Sequence, residues 1–208
     1  MRLTLIRHGP TEWNASRRFQ GQTDLPLSEH GRRVAAAIAD ALRGEPFDAI
    51  YASDLRRAME TAAPLAETRQ LDVTGDARLR EFHFGQWEGL RWDEIVAVNP
   101  HLAGEGSTAA KRYAPPGGES FDTVCARVAS FLDELTARPQ RNVAIVTHAG
   151  PLHALFDVLH SERPDNPGDN LSLHFTPGGI TRVTLEEGRA AIDSLDDRQH
   201  LDSLDAVR

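Results

Sequence analysis

The chain alternates short, mostly apolar runs with longer segments in which apolar residues recur every three or four positions. Residues 3–6, 49–52 and 143–146 are three such runs, in which Thr4 is the one small polar residue, and their length and apolar character predict buried strands. The spacing in the intervening segments is that of one face of an α-helix. Because strands and helices alternate, we predict an α/β fold: a three-layer sandwich with a mostly parallel central sheet, helices on both faces and a small inserted lid.

Capping residues mark the ends of the predicted helices. Ser28, Asp54 and Ser120 each precede an apolar-periodic segment, where a short polar side chain can accept a hydrogen bond from a free N–H of the first turn. The helix after Ser120 is expected to end near Pro139. Pro151 is predicted to begin the helix after the third apolar run, because proline is favoured at the first helical position.

Three further regions lie outside this alternation. Residues 171–175 and 180–185 flank the turn sequence Thr-Pro-Gly-Gly at 176–179, which predicts a β-hairpin at one edge of the sheet. Residues from about 90 to 118, rich in small and turn-forming residues towards their end, are interpreted as the lid. Residues from about 196 to 208 predict a solvated, mobile tail. The whole chain is interpreted as a single domain.

The composition narrows the class of protein. A length of 208 residues with 40% hydrophobic side chains suits one domain with a sizeable core. The formal net charge of −8 is opposite to that of proteins that bind nucleic acids or anionic membranes, so we expect neither partner. The lone Cys125 excludes an internal disulfide, and the chain contains neither a signal-peptide apolar region nor a run as long as a membrane span. We therefore expect a soluble, cytoplasmic protein; its oligomeric state is not predicted.

Histidine and arginine side chains follow the predicted strands. Arg7 and His8 follow the first strand, Arg57 lies shortly after the second, and His148 follows the third. Ligands of parallel sheets bind at the carboxyl ends of the strands, which meet at one edge. Taken singly, each residue is more often structural or a surface charge. Together, on an acidic chain, they predict an anion site, because the guanidinium fork matches phosphate oxygens and keeps its charge.

Glu81 is the candidate proton donor. It lies within 79–89, a segment that is dense in aromatic residues and ends in glycine. Without further context it would be a loop carboxylate paired with Arg78 or Arg80. A carboxyl group that aromatic side chains shield from water holds its proton more readily, which is what a general acid needs.

Metal and nucleotide sites have recognisable spacings that this sequence does not contain. His148 and His153 are five positions apart, whereas the two zinc ligands of the His-Glu-x-x-His motif are four apart, and a single cysteine cannot supply paired thiolates. Phosphate-binding Gly-Lys-Ser or Gly-Lys-Thr loops and the Gly-x-Gly-x-x-Gly fingerprint are also absent. We therefore predict neither a catalytic metal nor a cofactor.

Five ordered blocks of sequence carry a family resemblance. The first two contain Leu-Ile-Arg-His-Gly at 5–9 with Thr11, Trp13 and Asn14, continuing into 21–28, and then Ser-Asp-Leu-Arg-Arg-Ala at 53–58. The others lie at 79–89, 116–120 and 146–150. In this order they resemble the histidine phosphatase (phosphoglycerate mutase-like) superfamily. The chain departs from the family pattern at Pro10, where an acidic or amide residue is common.

The resemblance implies a role for each of the residues already singled out. His8 would be the nucleophile that becomes phosphorylated, and Arg7, Arg57 and His148 would hold the phosphoryl oxygens. Glu81 would protonate the leaving alcohol and then activate the water that hydrolyses the phosphohistidine. Fixed cations would stabilise the charge that spreads over the phosphoryl oxygens in the transition state, so that no metal is required.

Four further residues are implied as ligand contacts. Asn14 and Gln20, by their place in the opening block, would bind phosphate or substrate. Ala149 and Gly150 would lend backbone N–H donors at the N-terminus of the helix that follows His148.

Within the family, the resemblance favours hydrolysis over phosphoryl transfer. The segment between Glu81 and His148 is shorter than in the cofactor-dependent phosphoglycerate mutases, and the motifs look most like the α-ribazole phosphatase and phosphoglycerate-type phosphatase branches. We therefore predict a metal-independent phosphoric monoester hydrolase whose partner is a small-molecule phosphate ester. The alternatives are a phosphoglycerate mutase and, less favoured, a weakly active family member that binds proteins.

Overall fold

The computed structural model describes residues 1–105, 112–160, 173–186 and 189–205, and at their centre lies a six-stranded sheet. The strands are β1 (Arg2–Arg7), β2 (Ala49–Ala52), β3 (Val73–Gly75), β4 (Asn142–Thr147), β5 (Ile180–Glu186) and β6 (Arg189–Asp197). Their order across the sheet is β3-β2-β4-β1-β5-β6. Strands β1 to β4 run parallel to one another, whereas β5 lies antiparallel to β1, and β6 antiparallel to β5. The prediction of a mostly parallel sheet is confirmed.

Helices cover both faces of the sheet. Those in the described ranges are α1 (Glu12–Ala15), α2 (Glu29–Ala41), α3 (Arg56–Arg69), α4 (Trp92–Val98), α5 (Phe121–Thr136), α6 (Ala149–His160) and α7 (Asp202–Asp205). Ile38 of α2 and Leu65 of α3 belong to one buried cluster, and Phe131 of α5 and Phe156 of α6 to another. The sheet separates the two clusters, so the predicted three-layer sandwich is confirmed. No helix of the described ranges is both long and apolar enough to cross a membrane.

Strand β1 shows why the runs are apolar on both faces of the sheet. Leu3 and Leu5 belong to the cluster of α5 and α6, whereas Ile6 belongs to the cluster of α2 and α3. Successive side chains of a strand point to opposite faces, so a strand with helices on both sides is buried on both faces and is mostly apolar, with the small Thr4 as the polar residue in β1. The neighbouring strand β4 has the same pattern, with Val143 and Ala144 in different clusters.

Two of the predicted N-caps are confirmed. The Ser28 hydroxyl accepts a hydrogen bond from Gly31 N at 3.0 Å, and the Ser120 hydroxyl accepts one from Thr123 N at 3.2 Å. The prediction that Pro151 begins a helix is wrong by two residues. Helix α6 begins at Ala149, directly after β4, because the chain turns into the helix immediately at the end of the strand.

The third predicted N-cap is wrong. Asp54 does not cap α3, because both of its carboxylate oxygens accept hydrogen bonds from Arg80, each at 2.7 Å. The first turn of α3 is capped from elsewhere in the chain: Asp24 Oδ1 accepts from Arg56 N at 2.7 Å. A carboxylate distant in sequence has therefore replaced the local one.

The predicted β-hairpin is also wrong. β5 pairs with β6 instead of with a strand before residue 176, and their register runs from Ile180 opposite Asp197 to Glu186 opposite Arg189. Residues 173–175 form no strand, while residues 171 and 172 lie outside the described residues. The backbone before β5 is bonded to Arg7 instead, as the site geometry below shows.

The predicted lid and tail are described in part. Trp87, Ile95 and Leu102 form a small buried cluster of their own in and before the lid region, of which residues 106–111 lie outside the described residues. The predicted tail region begins within β6, and Leu201 is buried in the cluster of α2 and α3. Residues 206–208 are not among the described residues. Whether the lid region closes over the site stays a prediction.

Candidate active site

The parallel strands β1 and β4 bring the two predicted histidines together. Arg7 lies opposite Thr147 in the register, and His8 N donates a hydrogen bond to Thr147 O at 2.9 Å. The next residue of each strand is histidine, and the ring centroids of His8 and His148 are 5.0 Å apart. Both side chains are buried, with exposed fractions of 2% and 0%. The two rings therefore lie side by side at the carboxyl ends of the strands, where ligands of parallel sheets bind.

A cavity of about 260 Å³ opens beside these rings. Most of the predicted site residues line it, together with four residues that the sequence analysis did not assign to the site. The predicted ones are Arg7, His8, Asn14, Gln20, Arg57, Glu81 and Ala149, and the others are Arg17, Arg18, Phe19 and Phe84. His148 and Gly150 contact lining residues without lining the cavity themselves.

A larger hollow of about 420 Å³ lies at the opposite end of the sheet, beside Arg2 and Asn142. Two of its charged lining residues, Arg182 and Glu45, already form an ion pair with each other. No histidine is found among the lining residues that the structure describes. Size alone therefore does not identify the site, and the smaller cavity is the one lined by His8, Arg57 and Glu81.

The hydrogen bond of His8 determines which ring nitrogen is free to react. Nδ1 lies 2.7 Å from the main-chain oxygen of Gly9. Because a carbonyl oxygen can only accept, Nδ1 carries the proton and Nε2 keeps its lone pair. Burial, followed by the cations of Arg57 and Arg7, holds the pKa of His8 well below its ordinary value. The imidazole is therefore neutral and nucleophilic at Nε2.

Arg57 is a fully buried cation held by three acceptors. Its Nη1 donates to Thr23 O at 2.9 Å, its Nη2 to Gly21 O at 2.7 Å, and its Nε to His148 Nδ1 at 3.2 Å. Burial lowers the pKa of Arg57 to about 10, so the guanidinium remains charged at neutral pH. These bonds fix the plane of the guanidinium group beside the cavity.

The same contact determines the tautomer of His148. Its Nδ1 accepts from Arg57, so the ring proton lies on Nε2. Burial and then Arg57 hold the pKa of His148 well below its ordinary value, which leaves the ring neutral. Nε2 is buried and has no hydrogen-bond partner among the described residues. A buried N–H without a partner is a donor available to a ligand.

Two neutral, buried histidines predict loss of stability in acid. The pKa values of His8 and His148 are lowered in the folded state, so the unfolded chain binds more protons below about pH 6.5. The stability that these neutral histidines contribute to the folded state is therefore fully present above that pH. As the pH falls below it, the free energy of unfolding decreases by up to about 1.4 kcal/mol per pH unit for each group. We expect His8→Asn to lose less free energy of unfolding than the wild type between pH 7.5 and 5.5 in urea titrations. An equal loss in both proteins would contradict this.

Arg7 is anchored by the segment before β5. Its Nη1 donates to Phe175 O at 2.5 Å, and its main-chain oxygen accepts from Gly178 N at 3.0 Å. Burial lowers the pKa of Arg7, against the opposing effect of Glu81 and Asp196. The buried Nε has no partner within the described ranges and remains available to an anion.

Glu81 is held by the main chain at one of its two oxygens. Oε1 accepts from Phe82 N at 2.9 Å and from Gly150 N at 3.0 Å, and the residue is 8% exposed. An oxygen that already accepts two N–H bonds is a poor place for a proton, so a protonated Glu81 would carry it on Oε2. Gly150 thus orients the carboxyl group rather than facing the cavity, and a Cβ at this position would lie 2.3 Å from Oε1.

The remaining predicted contacts have unused polar atoms at the cavity. Asn14 Oδ1 accepts from Thr11 N at 2.9 Å and from the Thr11 hydroxyl at 3.1 Å, which directs the amide nitrogen away from Thr11. Gln20 is 8% exposed, and its Oε1 has no partner in the part of the chain that the structure describes. Ala149 begins α6, whose N-terminal dipole favours a bound anion.

The family model of the histidine phosphatase superfamily (branch 1) matches residues 3–198. The chain belongs to this superfamily. The family resemblance that the sequence motifs indicate is therefore confirmed, and the match covers nearly the whole length of this histidine phosphatase.

Three similar proteins are informative. The glucosyl-3-phosphoglycerate phosphatase of Mycobacterium tuberculosis is 42% identical over 171 residues, which cover 76% of this chain and 74% of that protein. The metal-independent phosphoserine phosphatase of Arabidopsis thaliana is 34% identical over 206 residues, covering 97% and 84%. The solved structure of the α-ribazole phosphatase from Shigella flexneri superposes with a TM-score of 0.84 at 27% identity, covering 95% of this chain and 97% of that one. The predicted phosphatase class of this histidine phosphatase is confirmed.

One residue that the sequence analysis did not single out supports Arg57 in this histidine phosphatase. Glu88 Oε1 accepts from Gln22 N at 3.0 Å, and Oε2 accepts from the main-chain N and the hydroxyl of Thr23 at 3.0 and 2.6 Å. The Gly21 and Thr23 carbonyls of this loop bind Arg57. Glu88 lies in the aromatic segment with Glu81, but nothing in the sequence indicates its contact with a loop more than sixty positions earlier.

A second such group supports Glu81. Arg127 Nη2 donates to Glu81 O at 3.1 Å, and Glu119 holds Arg127 through a 3.0 Å ion pair. Glu119 also accepts from His83 N at 2.8 Å. Gly118 allows this close approach, because a Cβ there would lie 2.3 Å from His83 O. The Pro-Gly-Gly-Glu-Ser block at 116–120 thus fixes the backbone of the segment that carries Glu81.

Proposed function

We propose that this protein hydrolyses small-metabolite phosphate monoesters without a metal ion, through a phosphohistidine on His8, with Glu81 as general acid and base. The observation that carries the proposal is the tautomer of His8. Its protonated Nδ1 is bonded to Gly9 O, so Nε2 is a free nucleophile beside the cations of Arg7 and Arg57. The curated relatives described above, which are named as phosphatases, support the same reaction class.

In the first step, Nε2 of His8 attacks the phosphorus atom in line with the ester oxygen. The N–P bond forms as the P–O bond to the leaving group breaks, and Glu81 Oε2 gives its proton to the departing oxygen. The guanidinium groups of Arg7 and Arg57 and the Nε2–H of His148 stabilise the charge on the three equatorial oxygens. These donors are held by protein contacts before substrate binds, so little reorganisation is needed during the reaction.

In the second step, water replaces His8 on phosphorus. The Glu81 carboxylate takes a proton from the water, the new P–O bond forms, and the N–P bond breaks with its electron pair returning to Nε2. Inorganic phosphate leaves and Glu81 is again protonated. We assign Asn14 and Gln20 to substrate contacts and the N-terminus of α6 at Ala149 to the phosphoryl group, because all three line the cavity.

The size of the cavity supports a small substrate. A volume of about 260 Å³ holds a phosphoryl group and a short organic group, and it is below the usual range for drug-sized ligands. The glucosyl-3-phosphoglycerate phosphatase and phosphoserine phosphatase relatives favour hydrolysis over the mutase alternative. We accordingly expect release of inorganic phosphate without interconversion of 2- and 3-phosphoglycerate.

Trapping of the phosphoenzyme tests the proposal directly. Acidic quenching hydrolyses phosphohistidine, so turnover of ³²P-labelled phenyl phosphate in EDTA should be stopped in base and the peptide containing His8 identified. We expect base-stable, acid-labile label on that peptide and undiminished hydrolysis of p-nitrophenyl phosphate in EDTA. Turnover that requires a metal, or efficient mutase activity, would overturn the proposal.

Substitution of Glu81 tests the general-acid step through the leaving group. p-Nitrophenolate departs without protonation, whereas an alkoxide needs the proton of Glu81. In Glu81→Gln we expect kcat/KM to fall by about 100-fold or more for an alkyl phosphate and far less for the rate of phosphoenzyme formation from p-nitrophenyl phosphate. Glu67→Gln, on the exposed side of α3, is the matched control. Equal losses for both esters in Glu81→Gln would contradict an acid role.

A further inference from the structure

Arg17 is an unassigned cation at the wall of the catalytic cavity. It lines the cavity together with His8, yet it is exposed to solvent. Its φ of 53° lies in the left-handed region, which a side chain other than glycine, asparagine or aspartate rarely adopts. The turn after α1 imposes this backbone, because Arg17 N donates to Asn14 O at 3.2 Å and Arg18 N to Trp13 O at 2.9 Å.

The charges around the cavity leave Arg17 without a counterion. The partly buried Arg7 and the fully buried Arg57 are the cations that bind the phosphoryl dianion in the proposed mechanism. Arg18 is occupied, because its Nη1 donates to Gly89 O at 2.6 Å and to Glu94 at 3.2 Å. Arg17 has neither an ion pair nor a side-chain hydrogen bond within the described ranges. One positive charge is therefore left for a group other than the phosphoryl oxygens.

A second lining residue, Gln20, also has a polar atom without a partner among the described residues. The buried Gln20 Oε1 has no partner among described residues, and as an acceptor it is better matched to a hydroxyl or ammonium than to a phosphoryl oxygen. Phe19 and Phe84 line the same cavity and meet edge to face, with ring centroids 5.0 Å apart. Beyond the phosphoryl position, the wall thus combines a cation, a polar acceptor and aromatic rings.

We propose that Arg17 binds a carboxylate on the organic part of the substrate, so that the preferred substrates are phosphate monoesters of small hydroxy or amino acids. This inference rests on the proposed phosphatase function and deepens it. A guanidinium group is suited to a carboxylate because its planar fork can donate two parallel hydrogen bonds. An exposed ion pair is weak, so a preference of about 5- to 10-fold in kcat/KM is expected rather than absolute selection.

Matched pairs of esters test the inference. Phosphoserine and phosphoethanolamine differ only in the carboxylate, as do 3-phosphoglycerate and glycerol 3-phosphate. The ratio of kcat/KM within each pair is the readout, because general damage to the enzyme lowers both members alike. We expect the wild type to prefer the carboxylate-bearing member of each pair about 5- to 10-fold, and this preference to fall as ionic strength rises.

Three variants complete the test. In Arg17→Gly the preference should fall to about 1, while glycine tolerates the positive φ and preserves the turn. Arg17→Lys keeps the charge without the fork and should retain part of the preference. Arg33→Gln removes an exposed charge on α2, where Arg33 pairs with Glu29, and should leave the ratio unchanged. Thermal unfolding establishes whether each variant is folded. If Arg17→Gly is not folded, Arg17→Gln takes its place.

The outcomes separate this inference from the proposed function. Equal use of both esters by the wild type, or an undiminished preference in Arg17→Gly, would overturn the role of Arg17 while hydrolysis continues. Loss of the preference in Arg33→Gln as well would also overturn it, because net charge would then explain the effect. Absence of both p-nitrophenyl phosphate hydrolysis and phosphoenzyme in the wild type would instead overturn the proposed function, and the inference with it.

Discussion

Replacing His8 with asparagine is expected to lower kcat by about four orders of magnitude and to abolish the phosphoenzyme. Asparagine is close to imidazole in length and polarity, but its amide nitrogen has no lone pair available to attack phosphorus. The cations of Arg7 and Arg57 remain in the variant, so inorganic phosphate should still bind. The measurement is the initial rate with p-nitrophenyl phosphate, together with phosphate affinity by calorimetry.

His101→Asn is the matched control for this experiment. His101 lies in the lid region beside Tyr113, away from the cavity lining, and its substitution should leave kcat unchanged. Retention of label or of more than about one-hundredth of the activity in His8→Asn would remove His8 from the mechanism.

Arg57→Lys should lower kcat/KM by about 100- to 1000-fold, although the positive charge is conserved. Lysine cannot span Gly21 O, Thr23 O and His148 Nδ1 at once, so buried acceptors lose their donors and His148 loses the contact that fixes its tautomer. The affinity for phosphate should fall with the rate, because in the proposed mechanism the guanidinium group contacts the phosphoryl group in both the ground state and the transition state. Steady-state kinetics and phosphate binding measure the two effects.

Arg56→Lys provides the comparison at the adjacent position. Arg56 is exposed and pairs with Glu60 on the surface of α3, so we expect less than about a twofold change in kcat/KM and a small change in Tm. Equal effects of the two substitutions would show that Arg57 contributes only charge. A loss confined to Tm, with kcat/KM unchanged, would place Arg57 in the fold rather than in the reaction.

The parts of the fold that were predictable from sequence are those in which local pattern and tertiary role coincide. The strands β1, β2 and β4 are central and buried on both faces, which favours nearly continuous apolar runs. The edge strands β3 and β6 are not subject to this requirement. β3 is three residues long, and β6 mixes apolar with acidic residues, so the sequence pattern at the end of β6 predicts a solvated tail. Pairing across the sheet, rather than local propensity, makes these segments strands.

The residues of the candidate site also divide into those that the sequence could predict and those that it could not. Residues that follow a strand directly, such as His8 and His148, were predictable because the ends of parallel strands share an edge. Glu88 and Glu119 were not, because their importance lies in bonds to backbone atoms of other loops. A carboxylate that binds main-chain N–H groups selects no particular side chain as its partner, so the sequence contains no complementary residue to indicate it.

The main chain, rather than a side chain, orients both proposed reacting groups. Gly9 O fixes the ring of His8, and the N–H groups of Phe82 and Gly150 fix the carboxyl group of Glu81. In a catalytic triad, by contrast, an aspartate does this work and a single point mutation can delete it. Here no substitution that preserves the backbone removes the orienting atoms. Wall residues other than the phosphoryl-binding cations, such as Arg17 and Phe84, can therefore change towards new substrates without disturbing the alignment of the proposed nucleophile and acid, a separation that favours the evolution of many specificities on one reaction centre.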